Sequence, residues 1–571
     1  VGRQTHHEEY EMATTESNAR FGNIAWVVAF GLASSSWCLS ASAKLGPTFD
    51  ETYYVMIGLD NWRTGSPNQA MSAGVMPLPT DVQTLPIYLS ECYRGRPYDP
   101  IADMPEVLPW ARIASLIFWW ALLIYAFRWG AAFGGRWGGR WATAFVATDP
   151  NFLGHAALAA TDIAMTATVL IAVYHFYAGR ERGPWMRVVL PGVLYGVALS
   201  AKASSLPFVP MLFTVVGMHK LLVAGSIPRP TRQIWATIRA WRTATRRLRW
   251  DLCYTFGIAI AWVLLYTGSD WKPEPQFAAW APTLAPGTGR DILVWLAEHG
   301  TAGFPNALEG LGRQVKHGTY GNGGVFFCGR RYDQPQWAYY PVTLAMKLPD
   351  STFVLLAFAA LFYRSLRRSP TAWVVLILLL FSLTTRVQTG VRIVFPLVAF
   401  LHITLGIALA SAEPATIRRR LAFALGFAAI VYSAGLSLSS WPDGIRFMNQ
   451  TWGGPDRGAA LLADSNYDWG QGLPELQEWH AANGEPVLFI WFYGSDPRQI
   501  LPPFRHLAIH NLPDNSEAAV RSIVGEGYLS VSVSLLNACP DRRPQTLKTI
   551  EWLKSLTPAA RTRTAFIYKL K

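Results

Sequence analysis

The sequence predicts a polytopic α-helical membrane protein that ends in a small α/β domain. Three observations carry this. Of 571 residues, 51% are hydrophobic and only 15% are charged, well below the roughly 25% of a soluble chain. The apolar residues come in runs of about 15–22, long enough to cross a hydrocarbon core of about 30 Å. The basic residues gather between those runs, and the net charge of +13 therefore reads first as membrane topology rather than as affinity for nucleic acid.

The apolar runs fall near residues 21–43, 109–128, 142–158, 162–179, 188–203, 205–222, 252–268, 341–363, 371–385, 391–411 and 421–439, about eleven spans by hydropathy. The first run ends in "SASAK", the pattern of a signal-peptide cleavage site. A retained span is expected instead, because cleavage would leave Asp50 a few residues from a free N-terminus. With residues 1–20 as a cytoplasmic tail, alternate connections hold "GGRWGGR", "GRERGPWMR", the stretch 220–250, "RSLRR" and "EPATIRRR". Every basic cluster then lies on the cytoplasmic side, as the positive-inside rule requires. The 220–250 stretch carries Lys220, Arg229, Arg232, Arg239, Arg242, Arg246, Arg247 and Arg249 without an acid, the composition of an anchor on anionic lipid.

In this frame the membrane domain covers 21–439, with outer loops at about 44–108 and 269–340, and 440–571 is extracytoplasmic. This last part alternates helix-like stretches ("LPELQEWHAANG", "TLKTIEWLKSL") with strand-like ones ("EPVLFIWFYG", "GYLSVSVSLL", "TAFIYKL"), the signature of an α/β domain. No transporter-type repeat and no low-complexity tract is evident. Cys38, Cys92, Cys253, Cys328 and Cys539 lack metal-binding spacing. Three of them are expected outside the membrane, where a disulfide is compatible with the sequence but unassigned.

Candidate chemistry begins at the exit of the first span, in "GPTFDETYYVMIGL". Asp50 and Glu51 lead an amphipathic stretch containing Tyr53, Tyr54 and Trp62, suited to lie at the membrane surface. A carboxylate there can take a proton from a hydroxyl while facing a lipid-borne substrate. Asp162 falls at an outer hairpin, with His155 seven residues earlier; acids at span ends are rare and often functional. Lys202, Lys347, Arg386 and Arg392 are cations near outer span ends, in a chain whose other cations lie mostly inside. Their partners are either these acids or an anionic ligand such as a lipid phosphate.

These stretches, in this order, resemble the lipid-carrier-dependent glycosyltransferases of the C-type superfamily. The nearest branch is protein O-mannosyltransferase-like and includes the aminoarabinose transferases. The resemblance rests on "FDETYY" with "GLDNWRTG", "TDPNFLGHAALAATDIAMT", "GVALSAKAS", "GVFFCGRRYDQPQWAYYPVTLAMKLP" and "TGVRIVFPL". "FMNQTWGGPDRGAALLADSNYDWGQGLPELQEW" resembles a bacterial branch with an extra outer domain. One departure stands out. The His-Pro-Pro-Leu-like element of many members is replaced by "GVMPLPTDVQTLPIYL", which keeps Pro77, Pro79 and Pro86 but has no His. Asp81 is the substitute the sequence offers.

The resemblance implies an inverting transfer of a sugar, mannosyltransferase-like, from a polyprenyl phosphate to a hydroxyl of a protein, lipid or glycan on the outer face of the cell (inner) membrane. It implies Asp50 as general base, with Glu51 and Asp162 supporting the base or acceptor. Lys202, Arg392, Lys347 and Arg386 would hold the departing phosphate. His317, Trp337, Tyr339 and Tyr340 fall in the second outer loop, which caps the cavity in this family. A divalent metal ion is left open. "DSNYDWGQ" lacks the Gly and distal Glu of a calcium loop and reads as a turn and cap joining the last span to the outer domain. Two rival readings are a transporter of lipid-linked sugars, which should show inverted repeats or broken helices at mid-membrane, and a non-catalytic subunit of a membrane assembly.

Overall fold

The computed structural model describes residues 2–99, 101–227, 234–268, 275–299, 306–321, 323–363, 369–411 and 416–570, with backbone alone for 2–19 and 275–277. Arg229, Arg232, "RSLRR" and the first three residues of "EPATIRRR" lie outside the described residues. Among those described, seven helices are long and apolar enough to cross a membrane: Arg20–Ser42, Met104–Thr148, Asp162–Gly179, Ser205–Val223, Arg246–Thr267, Val391–Ala410 and Ile417–Ser439. Tyr339–Lys347 and Asp350–Phe362 meet at 107° and make an eighth if they form one span. The protein is a multi-pass helical membrane protein. The expected N-terminal tail is helical, continuous with the first span over Gly2–Ser42.

Hydropathy predicts about eleven spans, and the difference has two sources. Helix Met104–Thr148 is not straight, because Gly135 takes φ 59° and ψ −164°. A Cβ added to Gly139 would meet the Phe127 ring at 2.8 Å and its carbonyl oxygen at 2.9 Å. Residues twelve apart in a straight helix are separated by about 18 Å, so the chain doubles back at Gly135. The run near 109–128 lies in its first limb, and the run near 142–158 covers the end of its second limb and the short helix Pro150–Ala156. The runs near 188–203 and 371–385 form the shorter apolar helices Trp185–Ala201 and Pro370–Ser382. The Gly135 conformation is essentially closed to residues with a Cβ. Gly135→Ala is therefore expected to cost about 1–3 kcal/mol, read as a lower midpoint of thermal unfolding in detergent.

Helix Val391–Ala410 is the axis of the bundle. Beyond Arg392 at its head it is apolar on all sides apart from His402 and Thr404, as a helix enclosed by neighbours should be, and Phe395 through Leu409 are all buried. Small residues let its neighbours close in: a Cβ on Gly406 would fall 2.7 Å from the Ala142 nitrogen. The segment after the first span forms helix Glu51–Thr64, ended by Gly65 at φ 71°, and helix Pro77–Arg94. Asp81 accepts from Asn61 Nδ2 at 2.9 Å and from Tyr266 Oη at 2.6 Å. It ties these helices to the end of Arg246–Thr267, so its expected role as a stand-in for the missing His gives way to a bracing one.

Strands β1 (Val325–Phe327) and β2 (Arg330–Tyr332) form an antiparallel hairpin. The C-terminal region contributes β3 (Leu488–Trp491), β4 (Phe504–His506), β5 (Tyr528–Ser532), β6 (Ala560–Arg561) and β7 (Ala565–Lys569). Their order is β4-β3-β5-β7-β6, with β3 parallel to β4 and β5, and β7 antiparallel to β5 and β6. Helices Leu473–Ala482, Glu517–Val524 and Pro544–Ser555 accompany the sheet. Trp491, Leu529, Val531 and Leu553 share its core. All five cysteines are free thiols.

Candidate functional site

Four separate segments bring charge to one end of the spans. Asp50 precedes helix Glu51–Thr64, and Asp162 is the first residue of helix Asp162–Gly179. Lys202 follows helix Leu190–Ala201 in extended backbone, and Arg392 lies in the 3-10 turn Val391–Val394 at the head of the axial helix. The Arg392 Nη1 donates to Asp50 Oδ2 at 3.2 Å and to Asp162 Oδ2 at 3.4 Å. Lys202 Nζ donates to the other oxygen of Asp162 at 2.5 Å. Asp162 is fully buried between two cations, whereas the Asp50 side chain is 25% exposed.

The four charges form a continuous chain, and Asp50, Lys202 and Arg392 open on a cavity of about 710 Å³. Tyr54, His317 and Arg386 also line it. Tyr54 Oη donates to Asp50 Oδ2 at 3.4 Å. Burial and the Asp50 charge push its phenol well above the ordinary value, so the hydroxyl keeps its proton. Burial and the Lys202 charge hold the His317 imidazole below its ordinary value. Arg386 Nη1 donates to the Thr319 carbonyl at 3.1 Å and, among the described residues, makes no ion pair. Aliphatic and aromatic side chains such as Leu206, Phe208 and Phe381 complete the wall, so the polar groups sit in a mostly apolar pocket, the usual make-up of a ligand site.

Glu51, adjacent in sequence, does something else. Its side chain is fully buried and paired with Arg112, whose Nε and Nη2 donate to its two oxygens at 2.8 and 2.7 Å. The Thr48 and Ala159 backbone N–H groups add bonds of 2.8 and 2.7 Å. Burial works to raise its pKa, but the Arg112 charge and these hydrogen bonds outweigh it and hold the carboxyl below its ordinary value. No lone pair is left for a substrate, and Glu51 acts as a structural clamp on the loop after the first span.

Lys347, expected at the phosphate, also lies apart from the cavity. It is 1% exposed, and its Nζ donates to the Ile445 and Asn466 carbonyls at 2.7 and 2.9 Å. It fixes the C-terminal region to the bundle and does not line the cavity. Tyr53 and Trp337 do not line it either, and Trp337 is 71% exposed. Tyr339 and Tyr340 lie buried behind the site. Asn466 Nδ2 donates to Tyr339 Oη at 2.9 Å, and Tyr340 Oη donates to the Val387 carbonyl. His155 is buried, edge-on to Phe395 at 5.0 Å and 5.9 Å from Trp469.

The stretch "DSNYDWGQ" is a turn, with Asp464–Asn466 in a 3-10 conformation, and it also builds the site. Ser465 Oγ accepts from Arg392 Nε at 3.0 Å, and the Trp469 ring lies 4.0 Å under the guanidinium. Asn466 Oδ1 accepts from the Val391 N–H at 2.9 Å. Two further acids sit here: burial pushes Asp464 up to about 6 and Asp468 up to about 7. Among the described residues no cluster of three or more His, Cys, Asp or Glu side chains is placed to hold a metal ion.

Fold and site together define a multi-pass membrane protein whose C-terminal region helps build a charged cavity at the end of its spans. Among solved structures the chain is similar to ArnT from Cupriavidus metallidurans bound to undecaprenyl phosphate, at 12% identity and a TM-score of 0.47, over 95% of this chain and 97% of that one. It is also similar to an Archaeoglobus fulgidus oligosaccharyltransferase tethered to an acceptor peptide, at 11% identity and a TM-score of 0.42, over 90% of this chain and 70% of that one. No family model and no curated protein matches it.

Proposed function

We propose that this protein is a membrane glycosyltransferase that moves a sugar from a polyprenyl phosphate to an acceptor hydroxyl on the extracytoplasmic face, with inversion. One observation carries the reading: a partly exposed carboxylate, Asp50, shares a half-apolar cavity with Lys202 and Arg392. A sugar phosphate on a lipid needs these three surfaces at once. Asp50 takes the proton of the acceptor hydroxyl as its oxygen attacks the anomeric carbon. The bond from that carbon to the phosphate oxygen breaks, and the electron pair leaves on the phosphate. Lys202, Arg392 and Arg386 face the charge that develops there, where oriented cations give the largest gain. A phosphate leaves without protonation, so no general acid is required. The distribution of basic clusters supports a cavity on the extracytoplasmic side of the inner membrane.

The test supplies purified protein in lipid vesicles with a panel of polyprenyl-phosphate sugars and follows sugar release. Turnover with one or more donors is expected. Its absence with every donor, while labelled lipid crosses the bilayer, would replace the transferase with a transporter. Ser465→Ala provides a finer check. It removes the acceptor for Arg392 Nε, a hydrogen bond to a charged group worth about 1.5–3 kcal/mol. A fall in turnover of roughly 10–100-fold is expected if the guanidinium must be held in place, and unchanged turnover would show that Trp469 and the two acids suffice.

A further inference from the structure

The segment at 234–250 is not used by the reaction, and its surface is unlike the rest of the chain. Helix Ile234–Ala244 has no buried residue. Ile234, Trp235, Ile238 and Trp241 are 70%, 81%, 42% and 42% exposed. Arg239, Arg242, Arg246 and Arg249 surround a cleft of about 500 Å³ whose floor includes Trp235 and Ile238. Among the described residues none of these four arginines is in an ion pair, whereas nearby Arg180 and Arg187 both bind Asp251. The cleft therefore presents unneutralised guanidinium groups beside exposed apolar rings.

The location adds a constraint. Helix Arg246–Thr267 has 22 residues, a length of about 33 Å, or one bilayer core. Its far end meets the segment that follows the first span, through Tyr266 Oη on Asp81, and helix Asn306–Tyr320, through Asn306 Nδ2 on the Thr267 carbonyl. The arginine cleft is thus at the membrane surface opposite the catalytic cavity. Trp250 and Tyr254, 55% and 58% exposed, continue the aromatic surface into the span, as residues at a lipid interface do.

We propose that this cleft is a binding site for the headgroup of an anionic phospholipid, with the acyl chains lying along Trp235, Ile238 and Trp241. Arginine suits this ligand because its planar fork pairs with two phosphate oxygens at once. The rings below supply an apolar floor that a free anion would not need.

Native mass spectrometry of the full chain, released from micelles titrated with phosphatidylglycerol or phosphatidylcholine, tests this. Wild type is expected to retain phosphatidylglycerol in preference to phosphatidylcholine. An arginine near an anionic lipid surface is worth about fivefold in affinity. Arg239→Gln with Arg242→Gln should therefore weaken phosphatidylglycerol retention by roughly 20–30-fold and leave phosphatidylcholine unchanged. Arg239→Lys with Arg242→Lys should keep most of the charge-driven part. Equal retention of the two lipids by wild type, or an unchanged preference in a monodisperse Gln variant, overturns the proposal. Should the Gln variant not elute as a single species, the wild-type preference for phosphatidylglycerol, with weaker retention of both lipids by Trp235→Ala, decides the matter. Preferential retention of a short oligonucleotide in place of lipid would also overturn it.

Discussion

Asp50→Asn is expected to lower sugar transfer by about 10²–10⁴-fold, the usual contribution of a general base, with donor binding much less affected. The substitution is close to isosteric. An Asn carbonyl still accepts from Arg392 Nη1, which lies 3.2 Å from Asp50 Oδ2, and Asp162 still anchors the guanidinium from the other side. The cavity therefore keeps its shape and loses only the ability to take a proton. Initial rates at saturating donor, together with donor affinity measured without acceptor, separate the two contributions. A rate within tenfold of wild type would remove Asp50 from the reaction and leave it as a partner for Arg392.

Arg112→Met is expected to cost about 3–5 kcal/mol of stability, the penalty for leaving a buried charge without its partner. Arg112 bonds both oxygens of Glu51, and it also donates to the Ser42, Leu45 and Gly46 carbonyls at 2.8–2.9 Å. The loop that delivers Asp50 is built around this guanidinium. Combining Arg112→Met with Glu51→Met should recover part of the loss, because an apolar pair of similar volume often replaces a buried ion pair at little net cost. Thermal unfolding in detergent reads both. The acid limb follows from the same pair. Glu51 sits below its ordinary value of 4.5, so its stabilisation is full above that pH and is lost as the pH falls through the depressed value. If Arg112→Met unfolds like wild type and loses only turnover, the Arg112–Glu51 pair belongs to the reaction instead.

The division of labour between Asp50 and Glu51 shows what a sequence can and cannot reveal. Their position was legible, because an acidic pair just beyond an apolar run stands out against hydropathy. Their roles were not, because they depend on where the helix begins. With Glu51 opening the helix, adjacent side chains diverge by about 100°. One then faces the cavity and the other the interior. Arg112 carried a signal that could have been used: apart from Arg128 at its last position, it is the one cation of the apolar run 109–128, and a cation there needs a partner. Lys347 carried the same signal, but its partners are backbone carbonyls, which no side-chain pattern announces. Ser465 and Trp469 reach Arg392 across more than 70 residues, a contact set by tertiary packing alone. The spans themselves were legible, including the fold-back at Gly135 within the connection "GGRWGGR"; the 107° bend between Tyr339–Lys347 and Asp350–Phe362 was not.

The seam between the axial helix and the turn at Asp464–Asn466 limits how this protein can be recombined. A chimera that joined residues up to Ser439 to a different outer domain would discard Ser465 and Trp469, and Arg392 would arrive at the cavity without its rest. It would also discard the Ile445 and Asn466 carbonyls that hold Lys347. The seam does not end there: the Gln471 carbonyl accepts from the Gly46 N–H beside the first span, and Ser495 Oγ donates to the Thr48 carbonyl two residues before Asp50. The outer region must therefore travel with the bundle at least through Ser495.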